Sequence, residues 1–235
     1  MGTYYMEWLE QEKKWMSDYR RRSLRMMTMK VLPATAIILG VLFGLMGFLG
    51  GTAEEAIMMA VSGVILGLFI TGVIVLCMLP GLRAGRMEKG IRKAIKQIGM
   101  DEREQEELAR EMLKAARDAG SHMDFQMTGP GSNGTPASVL VSPRFAYMRG
   151  GTPLVNLVRL SDCEEICRDE EQKTMTQSNG RRRTIYRFTL YTIGFYLKGI
   201  TETSAKGERL YGAAMGFFSQ QLRDEAYEMI VRRKH

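Results

Sequence analysis

Two histidines, His122 and His235, are all the imidazole in these 235 residues. A serine or cysteine nucleophile needs a base beside it, and imidazole has the ordinary pKa suited to that task. His122 opens a strand-like segment and His235 lies at the far end of the sequence, so neither is placed for such work. No HExxH or GxSxG motif occurs, which removes the familiar metalloprotease and α/β-hydrolase arrangements. Cys163 and Cys167 would share one face of a strand, but zinc takes about four ligands and the two scattered histidines do not complete a set. The thiols read as buried or edge cysteines. Glu164, Glu165 and Asp169–Glu171 form an acidic run, read as a solvated strand edge and turn.

Gly129, Gly131 and Gly134 satisfy the spacing GxGxxG. A dinucleotide site needs a helix starting at that loop, so that its N-terminus faces the pyrophosphate. Pro136 and a β-like run follow instead, and no Walker-type lysine succeeds any glycine loop. Asn133-Gly134-Thr135 is a glycosylation sequon, unused on a cytoplasmic face. The expectation is a chain without catalytic residues, metal or cofactor.

The elements around these residues are dominated by residues 31–79. Residues 31–50 and 56–79 contain no ionisable side chain apart from the thiol of Cys77. At about 1.5 Å per residue each run covers roughly the 30 Å of a bilayer's hydrocarbon core. The fold class expected is therefore an α+β membrane protein with a two-helix transmembrane hairpin. Its polar groups, Thr35, Ser62 and Thr71, are explained by hydroxyls bonding their own helices, so a transporter or intramembrane protease is not expected. Gly40, Gly44 and Gly47 in the first span and Gly63 and Gly67 in the second follow small-residue spacing. They serve either packing between the two spans or a dimer interface. The short link favours the former.

Net charge is +7 and mean hydropathy −0.16. Residues 1–30 carry seven basic and four acidic side chains, and residues 80–100 carry six and one, whereas the link holds Glu54 and Glu55 and no base. Basic flanks stay on the cytoplasmic side, so the expectation is a cell-membrane protein with both termini in the cytoplasm. Charge concentrated beside the spans is explained by insertion and anionic lipid, so nucleic acid is not an expected partner. Reducing cytoplasm makes disulfides unexpected.

Residues 1–30 read as a basic interfacial helix, with Tyr5, Trp8, Trp15 and Tyr19 near one face. The alternative is a tail whose aromatics pack on the C-terminal domain. Residues 80–119 read as an amphipathic helical stalk. Met87, Ile91, Ala94, Ile95 and Ile98 line one face of its first helix, Gly99 closes it, and Asp101 with Glu104 opens the second. Candidate headgroup or phosphate contacts are Arg20, Arg21, Arg22, Arg25, Arg83, Arg86, Lys89, Arg92 and Lys93, together with Arg181, Arg182 and Arg183 beside an Asn179-Gly180 turn signal.

Residues 120–235 form the last domain. Strand patterns cover 122–128, 138–149, 153–160, 163–168, 183–191 and 193–201, and a long helix is expected over 206–233. This order suggests a small β-barrel or curled antiparallel sheet capped by a helix. Arg144 and Tyr147 in one strand, then Leu160, Asp162 and Ile166 in the next, resemble the strand pair of the prokaryotic pleckstrin-homology-like (PH-like) domains, over about residues 120–232. Pro143 within the first strand and Cys163 after the aspartate depart from that pattern. The resemblance implies a scaffold for lipid, peptide or protein contacts, with no defined chemistry. The functional expectation is a membrane-anchored, cytoplasm-facing interaction domain, in contact with membrane lipids through two spans and with a protein partner or itself. The alternative is a structural oligomer assembled through the glycine faces.

Overall fold

Gly51 and Thr52 interrupt the long apolar run. Thr52 is extended, its hydroxyl accepts the Glu55 amide and the Glu55 carboxylate accepts the Thr52 amide at 3.0 Å. That reciprocal cap starts a new helix and reverses the chain. The computed structural model describes residues 2–79, 83–129, 134–150, 154–178, 183–199, 203 and 209–234. In order they form helix α1 (Thr3–Met26), a π-helical turn (Met27–Val31), α2 (Leu32–Gly50) and α3 (Ala53–Met78). Helices α4 (Ala84–Ile98) and α5 (Glu102–Ala115) follow. Then come β1 (His122–Met127), β2 (Thr135–Val141), β3 (Phe145–Gly150), β4 (Val155–Arg159), β5 (Cys163–Ser178), β6 (Arg183–Leu197), β7 (Ala213–Phe217) and α6 (Gln220–Lys234). Two compact units result: Lys14–Arg86, and Met1–Lys13 with Met87–His235.

In the first unit α2 and α3 are long and apolar enough to cross a membrane. Their glycines face each other's helix. A Cβ on Gly63 would stand 2.4 Å from the Leu39 carbonyl oxygen, on Gly67 2.9 Å from Ala36 Cα, and on Gly47 2.8 Å from Ala56 Cα. Gly40 and Gly44 meet Val64 and Ala60. Backbones this close leave no room for side chains, so small residues are required there. Thr35 and Ser62 donate to the carbonyls of Val31 (2.8 Å) and Met58 (2.9 Å) one turn back. Thr71 is buried and its hydroxyl has no partner among the described residues.

In the second unit two antiparallel sheets, β1-β2-β3-β4 and β5-β6-β7, enclose the core. Along β2 and β3 the side chains alternate between two covered faces. Ala137, Val139, Val141, Ala146 and Met148 point to the core with Ile193, Phe195, Met215 and Phe217, and α6 adds Ala226 and Ile230. The opposite face carries Leu140, Tyr147 and Arg149, which are also buried. A strand covered on both faces reads as a nearly continuous apolar run, as Val139–Val141 and Phe145–Met148 do.

The structure departs from the sequence reading in several places. The sheets remain separate and do not close into a barrel. Residues 138–149 are two strands, because Ser142 and Pro143 lie in the turn between β2 and β3; the Ser142 hydroxyl accepts the Phe145 amide at 3.0 Å. Proline is thus outside the ladder, where its missing donor costs nothing. The segment 183–191 and the first part of 193–201, as far as Leu197, are one strand, β6, and β5 runs ten residues past the expected Arg168. Of the long helix expected over 206–233 the described residues show only α6; Met215 and Phe217, within the expected helix, lie two apart on β7 and are both fully buried. Ala213, Ala214 and Met215 favour helices intrinsically, and pairing with β6 overrides that preference. Helices α4 and α5 are not a stalk standing clear of the domain: they belong to the same compact unit as the sheets. Amphipathic spacing identifies an apolar stripe without saying what covers it.

Candidate functional site

Position along α1 decides what its residues do. Tyr5, Trp8, Leu9 and Glu12 recur at helical spacing on one face, and all four are buried. The first amides of a helix have no partner within it, and here Glu106 of α5 accepts Tyr4 N at 2.8 Å and Tyr5 N at 3.0 Å. Lys13 pairs with Glu88 of α4 at 2.7 Å. Hydrogen bonds from Lys13 and Arg92 hold the Glu88 carboxyl below its usual range. Trp8 meets Tyr147 of β3 edge-on, with centroids 5.5 Å apart. Of the aromatics assigned to an interfacial face, Tyr5 and Trp8 therefore pack into the domain, while Trp15 and Tyr19 stack on each other further along.

Beneath Trp8 lies the most chemically suggestive cluster of the molecule. Glu12 accepts a hydrogen bond from the Tyr147 hydroxyl at 2.9 Å and from Arg149 Nη1 at 2.6 Å. Burial pushes the Tyr147 phenol well above its ordinary value, and the negative charge of Glu12 adds to the effect. Carboxylate, phenol and guanidinium together can serve proton transfer only where a substrate reaches them. Glu12 is 1 % exposed, Tyr147 0 % and Arg149 5 %, so this group fastens a helix to a strand. Neither Glu12 nor Arg149 stood out in the sequence; a lone glutamate among the apolar residues of an amphipathic face was the available signal.

Helix α5 clamps the sheet from its polar side. Asp101 Oδ1 accepts the Glu104 amide at 2.7 Å and Glu104 returns the contact, the cap expected from D-x-x-E. Glu107 and Glu111 each receive Arg144 from the β2–β3 turn at 2.6 Å. The Arg144 hydrogen bond holds the Glu107 carboxyl below its usual range. Arg144 and Tyr147, which carry the family resemblance, are thus both occupied in holding helices to the sheet. Asp162, in the short 3-10 turn between β4 and β5, pairs with Arg159 at 3.2 Å.

The candidate headgroup residues are dispersed. Arg20, Arg21, Arg22 and Arg25 are exposed on the later turns of α1; Arg83, Arg86, Lys89, Arg92 and Lys93 are exposed at or along α4. Arg92 is engaged, with Nε at 2.9 Å and Nη2 at 2.7 Å from Glu88. Arg183 is exposed at the start of β6, and the turn signal Asn179-Gly180 with Arg181 and Arg182 lies outside the described residues.

A cleft of about 640 Å³ lies between the free edges of the two sheets, β4 and β7, with Ala94, Gln97 and Ile98 of α4 along one side. Gly150 N donates to Leu154 O at 3.0 Å and Leu160 N to Arg144 O at 2.8 Å. In an antiparallel ladder those bonds fix the alternation, so the backbone groups of Val155 and Leu157 point away from β3 and into the cleft. An extended chain laid there would find unpaired donors and acceptors.

Cys163 is buried in the core and its thiol is pushed up to about 11 by burial, which leaves it protonated and a poor nucleophile at neutral pH. Cys167 is half-buried and raised for the same reason. Among the described residues no three His, Cys, Asp or Glu side chains converge to hold a metal ion. No family model matches the chain, and no curated protein or solved structure is significantly similar to it.

Proposed function

We propose that this chain is an integral membrane protein without catalytic activity, whose α2–α3 hairpin holds a cytoplasmic, PH-like interaction domain at the cell membrane. One observation carries the reading. The hairpin turns its largest side chains outward, with Leu49 85 %, Phe69 68 % and Ile65 61 % exposed, while its glycines lie between the helices. Soluble monomers rarely expose contiguous apolar surface on this scale, and lipid is the solvent in which it is stable. The basic flanks and the acidic link support cytoplasmic termini. What supports the PH-like part is a four-stranded and a three-stranded antiparallel sheet followed by one helix that packs Ala226 and Ile230 into the core. The cleft between β4 and β7 is the docking place, since strand addition needs an open edge beside a groove. Tethering raises the effective concentration of any partner in the same membrane.

Two measurements on one membrane preparation test this. The protein is expected to stay in the pellet after an alkaline carbonate wash; release into the supernatant would overturn the anchor. A photoreactive residue in place of Asn156, in the cleft, is expected to give a discrete protein adduct that the same residue at exposed Gln221 does not. Equal labelling from both positions would remove the cleft as the docking place.

A further inference from the structure

The β5–β6 ribbon is divided by charge along its length. Strand β7 pairs with β6 only from Tyr191 to Phe195, so between Arg183 and Leu190 the ladder consists of β5 and β6 alone. Eight residues of strand extend roughly 25 Å, and two-stranded ribbons are marginal in water. Near its root the acidic side chains find partners: Glu164 binds Arg209, and Asp169 accepts the Tyr211 hydroxyl. Towards the tip the balance reverses. The described tip residues, 172–178 and 183–190, include Lys173, Arg183 and Arg187 and no acid beyond Glu171 at the boundary. Lys173 reaches back to Glu171, whereas Arg183 and Arg187 are exposed and have no acidic partner among the described residues.

Register places the tip's arginines on one face. Side chains two apart on a strand point the same way, so Arg183, Ile185 and Arg187 stand in a row. Across the ladder Ile185 faces Thr176 and Arg187 faces Thr174. The face thus holds two guanidinium groups on either side of an aliphatic side chain that is 60 % exposed, with hydroxyls opposite. On the other face Tyr186, 40 % exposed, lies opposite Met175.

We infer that this ribbon tip docks on the anionic surface of the membrane, with Arg183 and Arg187 on lipid phosphates and Ile185 entering the headgroup layer. The inference rests on the proposed anchor, which keeps the domain beside a bilayer. Arginine matches phosphate geometry through its planar fork of donors, and each basic residue near an anionic surface contributes attraction that salt removes. A second copy of the chain is the poorer occupant, because pairing two tips would bring like charges together.

The test uses the full chain reconstituted in phosphatidylcholine vesicles with and without phosphatidylserine, carrying Ile185→p-benzoylphenylalanine. Irradiation followed by mass spectrometry is expected to show a lipid adduct in the anionic vesicles. The adduct should fall roughly fivefold or more in pure phosphatidylcholine, or when Arg183→Glu and Arg187→Glu are added. The same probe in place of Glu170, at the root, should give none. A crosslink to a second copy of the chain, or a lipid adduct indifferent to vesicle charge and to the arginines, would overturn the inference. So would the absence of any adduct from protein that remains carbonate-resistant in those vesicles. Protein that fails to reconstitute at all counts against the anchor, and the two failures are thereby told apart.

Discussion

The two units of this molecule solve the same packing problem in opposite directions. In Lys14–Arg86 phenylalanine faces out and glycine faces in: Phe69 is 68 % exposed, and Gly63 lies against the Leu39 carbonyl. In the other unit Phe195 and Phe217 are fully buried and Arg92 of α4 is outside. Where water is the solvent, removing apolar area from it drives packing. Where the surroundings are as apolar as leucine, only close contact and backbone approach remain to hold helices together, and small residues are then favoured inside. A side chain's meaning therefore depends on which unit it occupies.

Phenylalanine gives the sharpest way to break that comparison. Phe195→Ala should destabilise the β unit by about 4 kcal/mol, through lost burial and the cavity left behind. Phe69→Ala should change stability by less than about 0.5 kcal/mol in lipid, as a surface substitution does. Denaturant unfolding of the reconstituted protein, followed by tryptophan fluorescence in a Trp15→Phe background that leaves Trp8 as the reporter, reads the first; a comparable loss for Phe69 would place it in a core and dissolve the contrast. Ile65→Lys is next, at about 3 kcal/mol against insertion for a cation at mid-span, measured as the fraction resisting carbonate.

Charge placement supplies a prediction of similar size. Glu12→Ala leaves Arg149 without its carboxylate and should cost about 3 kcal/mol, seen as a lower unfolding midpoint. In contrast, Glu10→Ala, two residues away and exposed, should have no measurable effect. Gly63→Ile should separate α2 from α3, since even a Cβ would lie 2.4 Å from the Leu39 oxygen; crosslinking between cysteines placed on facing positions of the two spans would fall. The smallest effect expected near neutrality is that of pH. Tyr147 is raised in the folded state from an ordinary value of 10.0. Its contribution is therefore complete below pH 10 and lost as pH rises through the folded value. Spectrophotometric titration should show this phenol ionising late, together with unfolding. Glu107 has the opposite sign: lowered from an ordinary 4.5, it contributes above that value and its support is lost as pH falls through the folded one.

Local chemistry was legible in the sequence and long-range pairing was not. The hairpin's extent, the Asp101–Glu104 cap and the ending of α4 at Gly99, which has a φ of 71°, depend on residues within a few positions of each other. The glycine spacing likewise pointed to a close helix pair. What covers an amphipathic face is settled by chain far away, so α4 and α5 read as a stalk although the sheet covers them. Strand β7 was misread because its alanines and methionine favour helix, and only β6 holds them extended. The candidate site suffered most. The Glu12–Tyr147–Arg149 cluster and the β4–β7 cleft join segments that carry no mutual signature, and the register of β5 and β6 decides which arginines share a face.

The hydrogen bond between Glu12 and Tyr147 joins residues 135 positions apart. The apolar hairpin is consequently an insertion within the β unit, and the order of synthesis becomes a constraint on assembly. The first helix leaves the ribosome with one apolar face and a carboxylate that has no partner yet, and both spans are made before β3 exists. Contacts so distant in sequence form slowly because the intervening chain must first be brought together. Under the proposed anchor, closure of the domain is a late event that follows insertion, and spans that fail to insert would leave the first helix and the sheet unjoined.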